Sequence, residues 1–139
     1  MKNQWKAIQL AFSAAGAAVG WFLGEPDGLL TALTVFCIAD YLTGVLCAIF
    51  DRRLSSAVGF RGICRKVLMF GMVGIGHMID LYVIGSGEAI RTAVIFFYIS
   101  NEGISLIENA AHIGLPIPGK LKDVLAQLHD RAEEKEGEE

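Results

Sequence analysis

The chain has 139 residues, of which 53% are hydrophobic and 19% charged, and its formal net charge is −3. Soluble domains are about 45–50% apolar even when glycine is counted, so this composition excludes an ordinary soluble domain and favours a membrane protein. The weak negative charge gives no general electrostatic attraction to nucleic acid, and we predict no nucleic-acid partner.

Four apolar stretches are long enough to cross a bilayer, which takes about 20 residues. They predict membrane-spanning helices at 7–24, 28–50, 64–87 and 89–111. The connections after the first and third stretches are short, which is typical of antiparallel helical hairpins. We therefore predict an all-α membrane protein, with residues 1–115 forming two hairpins of transmembrane helices.

The first stretch also fits a different interpretation. Lys2 and Lys6 precede an apolar run rich in alanine and glycine, as in a secretory signal peptide. The run is longer than the usual 7–15 apolar residues, and its bulky end at 21–23 lacks a small-residue cleavage pattern. A retained membrane helix is therefore favoured, and a cleaved leader stays the alternative.

Small residues in the first stretch predict close helix packing. Gly16, Gly20 and Gly24 recur every four residues. Small residues at this spacing let two helix backbones approach closely within a membrane. The pattern fits contact with another helix of the same chain and contact with a second copy equally well.

The basic residues predict the orientation of the chain. With the four helices as above, every Lys and Arg except Arg91 lies on one side of the membrane, and that side is expected to be cytoplasmic. Both termini and the loop 51–63 are therefore predicted inside the cell. Basic residues in and after this loop are expected to contact anionic lipid headgroups. They are Arg52, Arg53, Arg61, Arg65 and Lys66.

Polar residues inside the apolar stretches are the strongest functional signal. In the fourth stretch they recur every three or four positions and form one stripe along a helix. Ionisable groups within a membrane face protein or water rather than lipid. We predict that they line a pore or contact other copies, together with an acid of the second stretch. The candidates are Asp40, Tyr98, Asn101, Glu102, Ser105, Glu108 and Asn109.

Two further expectations concern how the buried charges are neutralised. Asp80 and Arg91 lie near the outer ends of the third and fourth stretches, and we expect them to form a structural ion pair. The acids of the stripe are either protonated or paired with Arg65 or Lys66 reaching in from the cytoplasmic end.

Enzymatic chemistry is not predicted. Cys37, Cys47 and Cys64 are odd in number and lie in apolar surroundings, so buried free thiols are expected rather than disulfides or metal ligands. The Glu-x-x-His pairs of di-metal helical bundles do not occur. Neither a nucleophile motif nor a phosphate-binding glycine loop is present, so we predict no catalytic residue, cofactor or metal.

The C-terminal region, 116–139, has a different character. After Pro116 and Pro118, apolar residues at helical spacing predict a short cytoplasmic amphipathic helix, followed by an acidic tail that ends at Glu139. The apolar residues are Leu121, Val124, Leu125 and Leu128.

An ordered series of motifs resembles the phage-lysis and toxin-secretion holin family of Gram-positive bacteria and their phages, which includes holin-like proteins of clostridial toxin loci. The similarity covers about residues 28–128. Its motifs are Asp40–Gly44, Leu54–Ser56, Gly59–Gly62, His77 with Asp80, Phe97–Gly103, Ile107–Ala111 and Gly114–Pro118.

The resemblance implies a non-enzymatic protein of the bacterial cytoplasmic membrane that binds lipid and forms homo-oligomers. It further implies lesions that release an endolysin or a toxin and lead to host lysis, with an antiholin as an inhibitory partner. A narrow channel or transporter component for ions or small solutes is the alternative, and a passive membrane scaffold is a third interpretation.

Overall fold

All regular secondary structure in the described chain is helical. A computed structural model describes the backbone of residues 1–137 and all side chains of that range except those of 132 and 135–137. No strand occurs within this part of the chain. Its helices are α1 (Lys2–Leu23), α2 (Gly28–Phe50), α3 (Ser56–Met78), α4 (Ala89–His112) and α5 (Gly119–Gly137), and a π-helical segment, Ile79–Ile84, prolongs α3.

Four of these helices have the length and apolar composition of membrane spans. They are α1, α2, α3 together with its π-helical prolongation, and α4. This confirms the prediction of an all-α protein that crosses the membrane several times. The predicted second span, 28–50, has the same bounds as α2.

The third helix begins earlier than predicted, at Ser56 instead of residue 64. Ser55 caps it, since its hydroxyl accepts a hydrogen bond from the Val58 backbone N–H at 3.2 Å. The Tyr41 hydroxyl donates to the Gly59 carbonyl at 3.4 Å and fixes this first turn to α2. Ser56 and Arg61 interrupt the apolar run, but Ser56 lies in the first helical turn and Arg61 is exposed on the helix surface, so the predicted loop 51–63 shrinks to 51–55.

Helix α4 is the centre of the packing. It contacts α2, α3 and α5, whereas α1 packs against α3. Helices α3 and α4 are antiparallel, since Gly76 lies against Arg91 and Lys66 contacts Glu102. The predicted hairpin of the first two helices does not form, because α1 and α2 make no helix–helix contact within the described residues.

Gly74 of α3, rather than a glycine of α1, permits the close approach between α1 and α3. A Cβ atom on Gly74 would lie 2.0 Å from a ring carbon of Phe22. Gly16 and Gly20 have nothing within 4 Å of such an atom, so they make no close helix contact within the chain, and the alternative, contact with a second copy, stays a prediction. Gly24 does pack closely, against Arg91, and its φ of +85° is one that glycine adopts without strain.

The apolar core lies where α2, α3 and α4 meet. Tyr98 of the predicted stripe is half-buried against this core and meets the Phe97 ring edge-on, with ring centroids 5.2 Å apart. The three cysteines are free, and Cys37 and Cys47 are buried. The core residues are Leu33, Cys37, Val73, Ile95 and Ile99.

The C-terminal helix α5 folds back and packs part of its apolar face against α4. Leu125 is buried beside Gly103 and Phe36, whereas Leu121 and Val124 remain exposed. The cytoplasmic position of α5 stays a prediction. The end of the predicted acidic tail, residues 138 and 139, lies outside the described residues.

Replacing Gly74 by valine is expected to loosen α1 from α3, because the Phe22 ring occupies the space of the new side chain. Overpacking of this kind costs about 1–3 kcal/mol. The measurement is thermal unfolding of the purified protein in detergent micelles. Gly71→Val is the matched control, since a Cβ atom on Gly71 meets nothing within 4 Å. Equal melting temperatures of the two variants would contradict this packing.

Candidate functional site

Three ionisable side chains from three helices meet inside the apolar part of the structure. Asp40 of α2, Lys66 of α3 and Glu102 of α4 each lie ten residues from the helix end that faces the connection 51–55. At 1.5 Å per residue this is about 15 Å. The hydrocarbon core of a bilayer is about 30 Å thick, so these groups lie near its middle depth.

Lys66 joins the two carboxylates. Its Nζ donates to Asp40 Oδ2 at 2.5 Å and also to a carboxylate oxygen of Glu102. The side chains of Asp40, Lys66 and Glu102 are only 13%, 17% and 5% exposed. Charges removed from water lose several kcal/mol of hydration each, and only close hydrogen-bonded pairing offsets that loss. The three helices are therefore linked through one ammonium group.

Asn109 of α4 adds hydrogen bonds to two side chains of α2. Its Nδ2 donates to Asp40 Oδ1 at 3.1 Å and to Thr43 Oγ1 at 3.0 Å. The Cys47 thiol donates to the Asn109 carbonyl at 3.4 Å. Both carboxylate oxygens of Asp40 therefore have donors. We call Asp40, Lys66, Glu102 and Asn109 the polar cluster.

The stripe predicted along α4 divides into two lines. Glu102 and Asn109 point into the bundle and join Asp40, so the structure brings three of the predicted residues together. Asn101 and Ser105 are half-buried and Glu108 is exposed, and these three lie outside the polar cluster. The periodicity of the sequence placed all of them on one face but could not separate its inner from its outer edge.

The basic residues predicted to contact lipid headgroups also divide. For Lys66 the prediction is wrong, because its ammonium is drawn between two carboxylates inside the bundle. Pairing of the buried acids with this lysine was one of the alternatives that the sequence left open. Arg61 and Arg65 are exposed on α3 rather than in a loop, and Arg52 and Arg53 are exposed in the connection after α2.

A second polar site closes the opposite end of the bundle. Arg91 is fully buried and its guanidinium binds the connection between α1 and α2. Its Nη1 donates to Asp27 Oδ2 at 2.7 Å, its Nε to the Leu23 carbonyl at 2.7 Å, and its Nη2 to the Glu25 carbonyl at 2.9 Å. One side chain of α4 thereby fixes the ends of two other helices.

The predicted ion pair between Asp80 and Arg91 is wrong in its partners. Asp80 accepts hydrogen bonds from the backbone N–H groups of Ile90 and Arg91, at 3.0 and 2.8 Å. These N–H groups lie in the first turn of α4, where a carboxylate is favoured by the helix dipole. Asp80 therefore still ties α3 to α4, but it does so through the backbone, and the Arg91 side chain turns to Asp27.

Sequence reasoning missed Asp27, although its position carried a signal. An aspartate directly before an apolar helix is a preferred N-cap, and Asp27 accepts from the Leu30 N–H at 2.9 Å. The hydrogen bond from Arg91 is the largest of the effects that lower the pKa of the Asp27 carboxyl below its ordinary value. This connection lies outside the membrane spans.

A further contact at the other end was also missed. His112 Nε2 lies 3.0 Å from both carboxylate oxygens of Asp51, joining the end of α4 to the end of α2. The hydrogen bond with His112, and after it the one with Arg53, lowers the pKa of Asp51. No spacing in the sequence relates residues 51 and 112, so only the fold brings them together.

Comparison with known proteins identifies the family. The sequence model of the bacteriophage holin family matches residues 17–130. A probable holin of Bacillus phage phi105 is 33% identical over 124 residues, which cover 89% of this chain and 90% of that protein. No solved structure matches the chain significantly.

Relatives without an assigned function are similar over comparable lengths. An uncharacterised 14.9 kDa protein in the nagH 3′ region of Clostridium perfringens is 38% identical over 131 residues, covering 94% of this chain and 99% of the relative. An uncharacterised protein of Listeria innocua is 39% identical over 118 residues, covering 85% and 84%.

Replacing Asp27 by asparagine is expected to destabilise the fold by about 1.5–3 kcal/mol, because the buried Arg91 loses a charged hydrogen-bond acceptor. A carboxyl whose pKa is lowered on folding stabilises the protein above its ordinary pKa of 3.8, and this contribution declines as the pH falls through the folded-state pKa. Thermal unfolding in micelles between neutral and acidic pH measures both effects. Glu25→Gln is the control, since the Glu25 side chain is exposed in the same connection. If D27N and E25Q have the same stability and pH profile, Arg91 does not depend on Asp27.

Proposed function

The chain belongs to the bacteriophage holin family, a family of non-enzymatic membrane proteins, and we propose that it oligomerises in the bacterial cytoplasmic membrane and opens lesions there. The lesions would release a cell-wall hydrolase or a toxin and thereby cause lysis. Its partners are then further copies of the chain, the released protein as cargo, and an antiholin as inhibitor.

The polar cluster is the observation that supports this proposal. At the middle depth of the spans, a lysine and two carboxylates are kept from lipid by burial between three helices and by their contacts with one another and with Asn109. Removing one partner of such a buried pair costs about 3–5 kcal/mol. These ionised groups are favoured in two arrangements, one in which the closed bundle pairs them with one another and one in which they face water.

The transition between these arrangements supplies the mechanism. As copies accumulate, contacts between them replace contacts within each bundle, and the polar cluster turns towards a water-filled opening. With all three groups ionised, Asp40, Lys66 and Glu102 carry a formal net charge of −1. A unit charge that moves across the whole membrane potential contributes about 2.3 kcal/mol per 100 mV. Loss of the potential therefore acts as a trigger for opening.

Orientation in the membrane follows from the basic residues and is part of the proposal. We place the termini and the connection 51–55 in the cytoplasm, since most Lys and Arg lie towards that side, whereas Lys66 lies at middle depth and Arg91 at the opposite end. For the C-terminus, this placement requires α5 to leave the position in which Leu125 packs beside Gly103. Arg52 and Arg53, exposed in this connection, then lie against anionic lipid headgroups, at about 1 kcal/mol per basic residue.

Replacing Glu102 by glutamine tests the mechanism. The change leaves Lys66 with one carboxylate and removes the charge that moves, so we expect a shifted onset of lysis and a weaker response to an uncoupler. Culture turbidity after induction, with and without the uncoupler, measures both. Glu88→Gln is the control, since Glu88 is exposed at the N-terminus of the same helix. Unchanged timing and unchanged uncoupler response in E102Q would refute the charge-movement mechanism.

The size of the opening separates a lesion from a narrow channel. Purified protein is incorporated at high density into vesicles that contain a small dye, dextrans of increasing size and a folded wall hydrolase. We expect release of all of them, including the folded protein, after the membrane potential is removed. Release of the dye alone would favour a narrow channel, and complete retention would favour a passive scaffold.

A further inference from the structure

Two lines of exposed or half-buried polar side chains lie on the neighbouring helices α3 and α4, and their charged members have opposite sign. On α3 the line contains Arg61 and Arg65, one helical turn apart. On α4 it contains Asn101, Ser105 and Glu108, the outer edge of the stripe that the polar cluster does not use. The side chains of these five residues form no hydrogen bond or ion pair with any other residue whose side chain the structure describes.

The two lines lie at matching depth. Lys66 and Glu102 are in contact and therefore mark one level on the two antiparallel helices. Arg61 lies five residues before Lys66, about 7.5 Å towards the connection 51–55, and Glu108 lies six residues after Glu102, about 9 Å in the same direction. Two copies inserted with the same orientation therefore present Arg61 and Glu108 at nearly the same level.

Lipid alone is a poor environment for these groups. Asn101 lies about 16 Å from the end of α4 at His112, near the middle of a bilayer, and its side chain has no partner among the described residues. A polar side chain at that depth is favoured against protein or water. The apolar neighbours on the same side of α3, Leu68 and Met72, are also exposed and offer a packing surface beside the arginines.

We infer that α3 of one copy packs against α4 of a second copy, with Arg61 and Arg65 of the first copy facing Glu108 and Asn101 of the second. The occupant of this surface is another copy of the chain, because each copy carries both charges at matching depth. The inference rests on the proposed function and specifies its oligomer contact. Glu108 and the two arginines then stabilise the assembly, whereas the polar cluster stabilises the single copy.

Charge reversal in separate copies tests this contact. Copies are labelled with a donor or an acceptor fluorophore and mixed in vesicles, and energy transfer reports their association without requiring any lesion. Glu108→Arg alone and Arg61→Glu alone each place like charges together, and like-charge juxtaposition weakens association by about tenfold or more. An equal mixture of E108R and R61E restores the opposite charges, and we expect energy transfer to recover.

The controls separate the remaining outcomes. Glu88→Arg and Arg53→Glu reverse exposed charges outside the two lines, and mixing them is expected to restore nothing. No recovery in the E108R and R61E mixture, with both variants helical and inserted, would overturn the contact. A defect of R61E that depends only on the anionic lipid content of the vesicles would place Arg61 against headgroups and would also overturn it. Association without release of protein would instead count against the proposed function alone.

Discussion

An ammonium group held between two carboxylates near the middle of a membrane is the interaction on which the rest of the structure depends. Lys66 comes from α3, Asp40 from α2 and Glu102 from α4, so no two of these helices separate without exposing a charge. Water cannot replace the lost partner inside lipid. In the proposed mechanism the same groups become stable again once they face an aqueous opening, so the closed bundle is able to rearrange.

The two ends of the bundle are fixed in different ways. At the end near the connection of α1 and α2, the fully buried Arg91 binds Asp27 and two backbone carbonyls, and Asp80 caps α4. At the other end, the contact of His112 with Asp51 is exposed. Because Arg91 holds the connection of α1 and α2 to α4, we place the proposed rearrangement at the polar cluster and between it and the connection 51–55.

Helix existence was predictable from the sequence, because long apolar runs have one stable form in a bilayer. The bounds of α2 follow from its uninterrupted run, while the early start of α3 depends on the cap at Ser55, which lies inside a polar stretch. Pairing of helices was not predictable. The glycines of α1 have a suggestive spacing, yet Gly74 of α3 makes the contact, since only the position of Phe22 decides which glycine is needed.

The candidate site was predictable in its residues but not in its connections. Asp40, Glu102 and Asn109 stand out as polar groups within apolar runs, and periodicity alone puts the latter two on one face. Lys66 was left between lipid headgroups and the buried acids, and Arg91 was paired with Asp80, because a long side chain reaches in either direction along a helix and the sequence does not tell which.

Solid-state NMR of the dilute protein in bilayers tests the central claim most directly, through the dipolar coupling between ¹⁵N-labelled Lys66 Nζ and the ¹³C-labelled carboxyl of Glu102. We expect a strong coupling, as for a direct ion pair, that disappears when the protein is concentrated and the membrane becomes leaky. A lysine nitrogen far from that carboxyl in the dilute, closed state would contradict it.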